Sequence, residues 1–276
     1  MHRENLEHYS PRDDNPYEIT AEQRMKMVSS LLEERPPVGE HPVVCYRLSS
    51  DDPFADIARS IECEVFHNEF DTDPENPKND PANMKNEYSP YEATSTFFLS
   101  IDRESENAIG ALRVIKNSTN SAEGFKTLDD VPAEYARDFA QEYDVDDFSK
   151  VWDIGTVAVL REYRSQAGNV SGQLYAGMYA TALSEQVKHF VSVIDTRVYT
   201  KMRDYLGIPF QPLYDMPEIN YLNAQSQFVY GEVDTFLPSV RKKRRKLIFS
   251  KQVRDATAPL VGKANDALQF EDKIPK

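Results

Sequence analysis

Arg161, Arg164, Gly168 and Gly172 pose the first chemical question. They follow the apolar run VWDIGTVAVL at 151–160 and lead into a stretch, 171–189, whose apolar spacing predicts a long helix. A strand, a basic glycine-containing turn and a helix start are the parts of a backbone cradle for phosphate, because free N–H groups and the helix dipole both favour an anion there. The two arginines add planar donors suited to phosphate oxygens. The plainer alternative is a pair of solvated loop arginines. Arg113 poses a second question, since it stands among Ile109, Leu112, Val114 and Ile115 on an apolar run. Alternation sends such a side chain either to water or into a charged pocket that suits a carboxylate.

Charge narrows the field of partners. Residues 1–160 hold 15 Lys and Arg against 34 Asp and Glu, whereas 161–276 hold 17 against 12, so positive potential collects downstream, where the cradle lies. Such asymmetry argues against nucleic-acid binding through the first half. The run RKKRRK at 241–246 is the one strongly basic segment. It reads as a solvated tail, with a cofactor phosphate, an anionic membrane and nucleic acid as the other candidates. No apolar run approaches the ~18 residues of a membrane span, and the N-terminal residues lack a secretory core segment. Cys45 and Cys63 have no metal-ligand spacing and need no disulfide, so we expect a cytoplasmic protein without a metal.

The elements that must position these residues follow from periodicity. Thr20 to Gln23 forms a capping-box pattern before a helix that ends ahead of Pro36 and Pro37. VVCYRLSS at 43–50 reads as a strand. A helix follows, capped by Asp51 or Asp52, with an apolar face of Phe54, Ile57, Ala58, Ile61, Val65 and Phe66. Residues 71–91 form a polar, proline-rich stretch expected to be a long loop. Two strands, 93–102 and 107–117, make a hairpin, and 131–143 reads as an acidic helical insert. After the strand at 151–160 and the long helix come a strand at 190–195, a helix ending at Gly207 and a strand at 226–233. The expected layout is an N-terminal extension with one helix (1–42), an α/β (α+β) domain (43–237) and a basic C-terminal tail (238–276). The phosphate cradle falls mid-chain, which counts against a dinucleotide fold whose fingerprint opens the domain.

This order resembles the GNAT superfamily of N-acyltransferases, in which the fourth strand leads to a loop of the form Arg/Gln-x-x-Gly-x-Gly/Ala. EYRSQAGNVSGQL at 162–174 stands in that place with a stretched spacing. Within the superfamily the chain resembles the acyl-homoserine-lactone synthases and long-chain N-acyl amino acid synthases. EVFHNEF at 64–70, EYSPYEATSTFFL at 87–99 and IGALRVI at 109–115 carry that likeness, which spans residues 43–215. Ser89 and Glu92 stand where those synthases carry aspartates, Asp153 where they carry a glutamate, and Thr156 where they carry an arginine.

The resemblance implies a mixed, mostly antiparallel twisted sheet flanked by helices. It also implies acyl transfer from acyl-CoA, acetyl-CoA or an acyl-carrier protein to a small, amino-acid-like amine. Cofactor contacts would come from Val157 and Val159 along the strand and from Arg161, Arg164, Ser165, Gln166, Ala167, Gly168 and Gly172 in the loop. Phe66, Glu87 and Arg113 would meet the substrate. An amine is mostly protonated at neutral pH and needs a base. Asp153 is the first candidate, its alternative being a surface carboxylate at a strand start. Glu92 is the next, against ordinary loop solvation. Tyr199 is the candidate acid toward the leaving thiolate, against aromatic packing. A catalytically degenerate acyl-CoA sensor on the same fold is the rival reading.

Overall fold

The computed structural model describes residues 15–38, 40–70, 79–117, 121–222, 224–246 and 268–269. The helices are α1 (Ala21–Glu34), α2 (Ala55–Phe70), α3 (Pro81–Tyr88), α4 (Lys126–Asp129), α5 (Phe139–Tyr143), α6 (Ala167–Ser184), α7 (Thr196–Lys201) and α8 (Val233–Lys246). The strands are β1 (Val43–Ser49), β2 (Ser95–Asp102), β3 (Asn107–Lys116), β4 (Val151–Val159), β5 (His189–Asp195), β6 (Gln211–Pro212), β7 (Ile219–Tyr221), β8 (Ala224–Glu232) and β9 (Leu268–Gln269).

They form one sheet in the order β6-β8-β5-β4-β3-β2-β1-β9, with β7 beside β8. Only β4–β5 and β1–β9 are parallel; every other pair is antiparallel. This is the mixed, mostly antiparallel α/β sheet that the resemblance implies. It is covered on both faces, which is why β2 and β3 read as near-continuous apolar runs.

On one face Leu174, Met178 and Ala182 of α6 and Phe236 and Val240 of α8 pack on Phe98, Leu112, Trp152, Phe190 and Val229. On the other, α1 and α2 cover β1 to β3 through Val28, Leu31, Ile57, Ile61 and Val65. The β5–β8 end of that second face is covered by the segment around α4 and α5. There Phe125, Phe139 and Phe148 pack against Val191, Phe228 and Tyr230, and Tyr143 stacks on Tyr230 at 3.9 Å between centroids.

Several local expectations take definite form. The Thr20–Gln23 capping box opens α1. Asp52, rather than Asp51, accepts from the Phe54 N–H at the start of α2. The second half of the 71–91 stretch is not loop: Asp80 caps α3, with Pro81 in its first turn. The 131–143 insert holds only the five residues of α5, preceded by the short α4. The helix expected from 171 begins at Ala167 and ends at Ser184, after a 3-10 turn at Arg161–Gln166. Gly168 and Gly172 therefore lie in helix, not loop. The basic run sits on α8, whose Phe236 and Val240 are buried in the core.

Candidate functional site

The site begins with two irregularities of β4. Its pairing with β3 shifts register between Arg113 and Val114, so that Val114 lies opposite Ile154 and Arg113 opposite Thr156, with Gly155 as the extra residue. A one-residue insertion flips every side chain beyond it. Trp152 and Ile154 face α6 and α8, while Thr156 and Ala158, two and four residues on, face α2. Pairing with β5 runs only from Val151–His189 to Ile154–Ser192. Past that point the two parallel strands part, and Ser192 closes the fork by donating to the Ile154 carbonyl at 2.8 Å.

A cavity of about 200 Å³ opens in the fork. Gly155, Thr156 and Val157 of β4 and Val193 to Asp195 of β5 form its sides. Tyr175, Met202 and Phe210 lie towards α6 and α8; Phe66, Asn79, Tyr88, Lys126, Thr127 and Tyr221 lie on the opposite face. A smaller apolar cavity of about 30 Å³ adjoins it, sharing Ile154, Tyr175, Met202 and Phe210 and extending to Phe236, Leu237 and Val240 of α8.

Behind Thr156 lies an ionic cluster centred on Arg113, whose side chain is fully buried. Its guanidinium donates to Glu62 from Nε (3.2 Å) and Nη2 (2.8 Å), to Glu92 (3.0 Å) and Ser95 (3.2 Å) from Nη1, and to the Tyr17 hydroxyl (2.5 Å) from Nη2. Thr156 donates to Oε1 of Glu62, which Arg113 Nε also reaches, and Arg59 donates to Glu92. Burial alone would raise the Glu92 carboxyl, but the Arg113 and Arg59 guanidiniums hold it below the usual range. Burial would likewise lower Arg113, but Glu62, Tyr17 and Glu92 together outweigh it, leaving the guanidinium more firmly charged.

Asp153 is held differently. It is fully buried one residue before Ile154, and both oxygens accept from Thr127: Oδ2 from the backbone N–H at 2.6 Å and Oδ1 from the hydroxyl at 2.8 Å. Burial pushes this carboxyl up to about 7, the Thr127 donors acting the other way. Next to it, Lys126 is ion-paired with Glu87 (2.9 Å) and Asp130 (2.6 Å) and donates to the Tyr221 hydroxyl (2.9 Å). Burial would lower its ammonium, yet Tyr88, Tyr221 and Glu87 hold it raised.

The candidates read from sequence therefore fall into separate places. Val157 lines the cavity and Val159 packs beside the α6–α8 core; Phe66 also lines the cavity. Glu87 reaches the site through Lys126. Glu92 and Arg113 belong to the ionic cluster and bond within it. Asp153 turns to Thr127 rather than to water. Tyr199 is buried, and its hydroxyl donates to the Phe210 carbonyl at 3.4 Å. Arg161 is exposed on the turn after β4, and Arg164 donates to the Val159 carbonyl at 3.0 Å. The side chains of Ser165, Gln166, Ala167 and Gly168 lie outside the described residues, and Gly172 is buried within α6.

With this geometry in view, no family model matches the chain, and no curated protein matches it. Solved structures do resemble it in fold. One is a CoA-dependent acyl-homoserine lactone synthase, BjaI, with 14% identity over 81% of this chain and 99% of that one, at a TM-score of 0.46. Another is FeeM, an N-acyl amino acid synthase from uncultured soil microbes, with 14% identity, 74% and 99% coverage and a TM-score of 0.49. A GNAT-family acetyltransferase from Staphylococcus aureus shares 13% identity over 68% of this chain and 99% of that one, at a TM-score of 0.40. Substrates do not transfer at identity this low. Among the described residues no helix is long and apolar enough to cross a membrane.

Sequence reading missed Glu62, Lys126 and Thr127. Glu62 had a signal: it lies four residues after Ala58 and three before Val65, on the apolar face of α2, where a charge demands a partner. Lys126 and Thr127 stood in a stretch with no periodicity to place them.

Proposed function

We propose that the protein is an N-acyltransferase, moving an acyl group from acyl-CoA or an acyl-carrier protein to the amine of a small acceptor by direct attack. The observation that carries this reading is the parting of β4 and β5 over a cavity. Beyond Ile154 the β4 backbone pairs with β3 on one side and faces the cavity on the other. An extended amide-bearing arm, such as a pantetheine, can add to that side as a further strand. In this reading the backbone at Val157 and Val159 holds the arm, and Arg161, Arg164 and the start of α6 meet the phosphates.

The chemistry follows from charge. Attack on a thioester carbonyl puts negative charge on oxygen, and fixed backbone N–H groups in a dry cleft stabilise it. The acyl tail points towards the apolar wall of Tyr175, Met202 and Phe210. The acceptor enters on the side of Phe66, Tyr88 and Lys126. Arg113 is not assigned to an acceptor carboxylate here, because its donors are already engaged with Glu62, Glu92, Ser95 and Tyr17.

Native mass spectrometry with acetyl-, octanoyl- and palmitoyl-CoA, followed by thiol release across an amine panel, tests the reading. We expect one acyl-CoA per chain and amine-dependent thiol release. Binding without release under any amine would make the protein a sensor. No binding would remove the fork as a cofactor site.

A further inference from the structure

We propose that Thr127 is a catalytic residue that passes a proton from the acceptor amine to Asp153. The proposal rests on the acyl-transfer reading above. Three observations carry it. Asp153 is fully buried, so no acceptor reaches its carboxylate directly. Thr127 donates its hydroxyl to Asp153 Oδ1 at 2.8 Å, and its backbone N–H holds Oδ2. Thr127, itself 3% exposed, lines the cavity and also touches the buried carboxylate, so it is the residue that joins the two.

A hydroxyl is both donor and acceptor, so it relays a proton without changing its own charge. The ammonium nitrogen gives one proton to Thr127 Oγ1 as the Thr127 proton passes to Asp153 Oδ1. The neutral amine then attacks the thioester carbonyl. The C–N bond forms and the C–S bond breaks. The second amine proton leaves with the sulfur as a thiol. Asp153 returns its proton through Thr127 to solvent once product has gone.

The surroundings suit a base that works near neutrality. Charged groups facing Asp153 are Lys126 and Asp130 on the α4 side, which oppose each other, while β3 and β5 place Ile115 and Val191 beside it. The balance of burial against the Thr127 donors leaves the carboxyl at about 7. A base efficient at neutral pH has its proton affinity there.

The test compares Thr127→Val and Thr127→Ser with wild type, measuring thiol release from octanoyl-CoA with phenethylamine and L-leucine amide between pH 6 and 10. For Thr127→Val we expect kcat at pH 7 to fall by about 10²-fold or more, the usual worth of a positioned base. KM should stay within a few fold, and the residual rate should climb about tenfold per pH unit towards the free amine's own pKa. Thr127→Ser should restore most of kcat. A merely structural threonine would lower stability and leave the shape of the pH profile unchanged, and that result overturns the proposal.

Infrared titration of the carboxyl band lost in Asp153→Asn supplies a check that needs no turnover. We expect a midpoint near neutrality in wild type. A midpoint below about pH 5 overturns the relay whatever the kinetics show. Octanoyl-CoA binding with no release from wild type, alongside a neutral midpoint, would instead overturn the acyl-transfer reading.

Discussion

Two fully buried carboxylates flank the β4 bulge, Asp153 on β4 and Glu62 on α2 through Thr156 and Arg113, and they are held in opposite ways. Glu62 meets a guanidinium: Arg113 approaches at 2.8 Å with both side chains fully buried. Asp153 accepts from the neutral donors of Thr127, with Lys126 and Asp130 opposing each other nearby, and burial raises its proton affinity to about 7. Equal burial thus gives one carboxylate paired with a guanidinium and another held by neutral donors, its proton affinity raised. The deciding variable is the charge of the partner, not the depth.

The largest effect should come from breaking the ion pair. Arg113→Met strands Glu62 as a buried charge with Thr156 as its remaining donor, and should cost about 3–5 kcal/mol. Chemical denaturation measures it. The double variant Glu62→Leu with Arg113→Met should cost much less than the two single changes together, because the pair is stabilising only relative to its broken halves. Additive losses would show that the two side chains act separately, and the contrast with Asp153 would lose its basis.

The second test works on Asp153 through pH. Its folded-state value lies above that of an ordinary aspartate, so the folded protein binds the extra proton between about pH 4 and 7. Stability then falls as pH rises through that window and stays low above it. Asp153→Asn has no proton to lose. The stability difference should therefore move against wild type by up to a few kcal/mol between pH 4 and 8. Denaturation curves of both proteins at matched pH values measure it, and a flat difference would mean that the Asp153 carboxyl gains no proton on folding.

The contrast was half visible in the chain. Arg113 stood out as a charge on an apolar strand, and Glu62 stood on an apolar helix face with the same logic available. Gly155 within an apolar strand was also a cue for a bulge. The Thr127–Asp153 contact was not legible, because it joins residues 26 apart through a helix only four residues long. No period can be read over so few positions. The β4–β5 order and the flanking helices were legible because apolar strands and a long helix declare themselves by pattern. The start of α6 was misplaced because Gly168 disfavours a helix interior. Tertiary packing overrode that local preference, with Val170 and Leu174 fully buried.

The smallest test probes how finely the Arg113 side of the contrast is built. Tyr17, from the segment before α1, accepts from Arg113 Nη2 at 2.5 Å, and burial raises its phenol above the ordinary range, so it stays neutral. Tyr17→Phe keeps the ring against the guanidinium and removes the hydroxyl that accepts from Arg113 and donates to Glu92 at 3.5 Å. The expected cost is about 1–2 kcal/mol, the range for losing one partner of a buried charged donor. A thermal melt would register it as a drop of a few degrees. In the Arg113→Met background the same substitution should cost much less, because only the long 3.5 Å donation to Glu92 is left to lose. A cost that persists there undiminished would assign Tyr17 to packing, leaving Arg113 to be satisfied by Glu62, Glu92 and Ser95 alone.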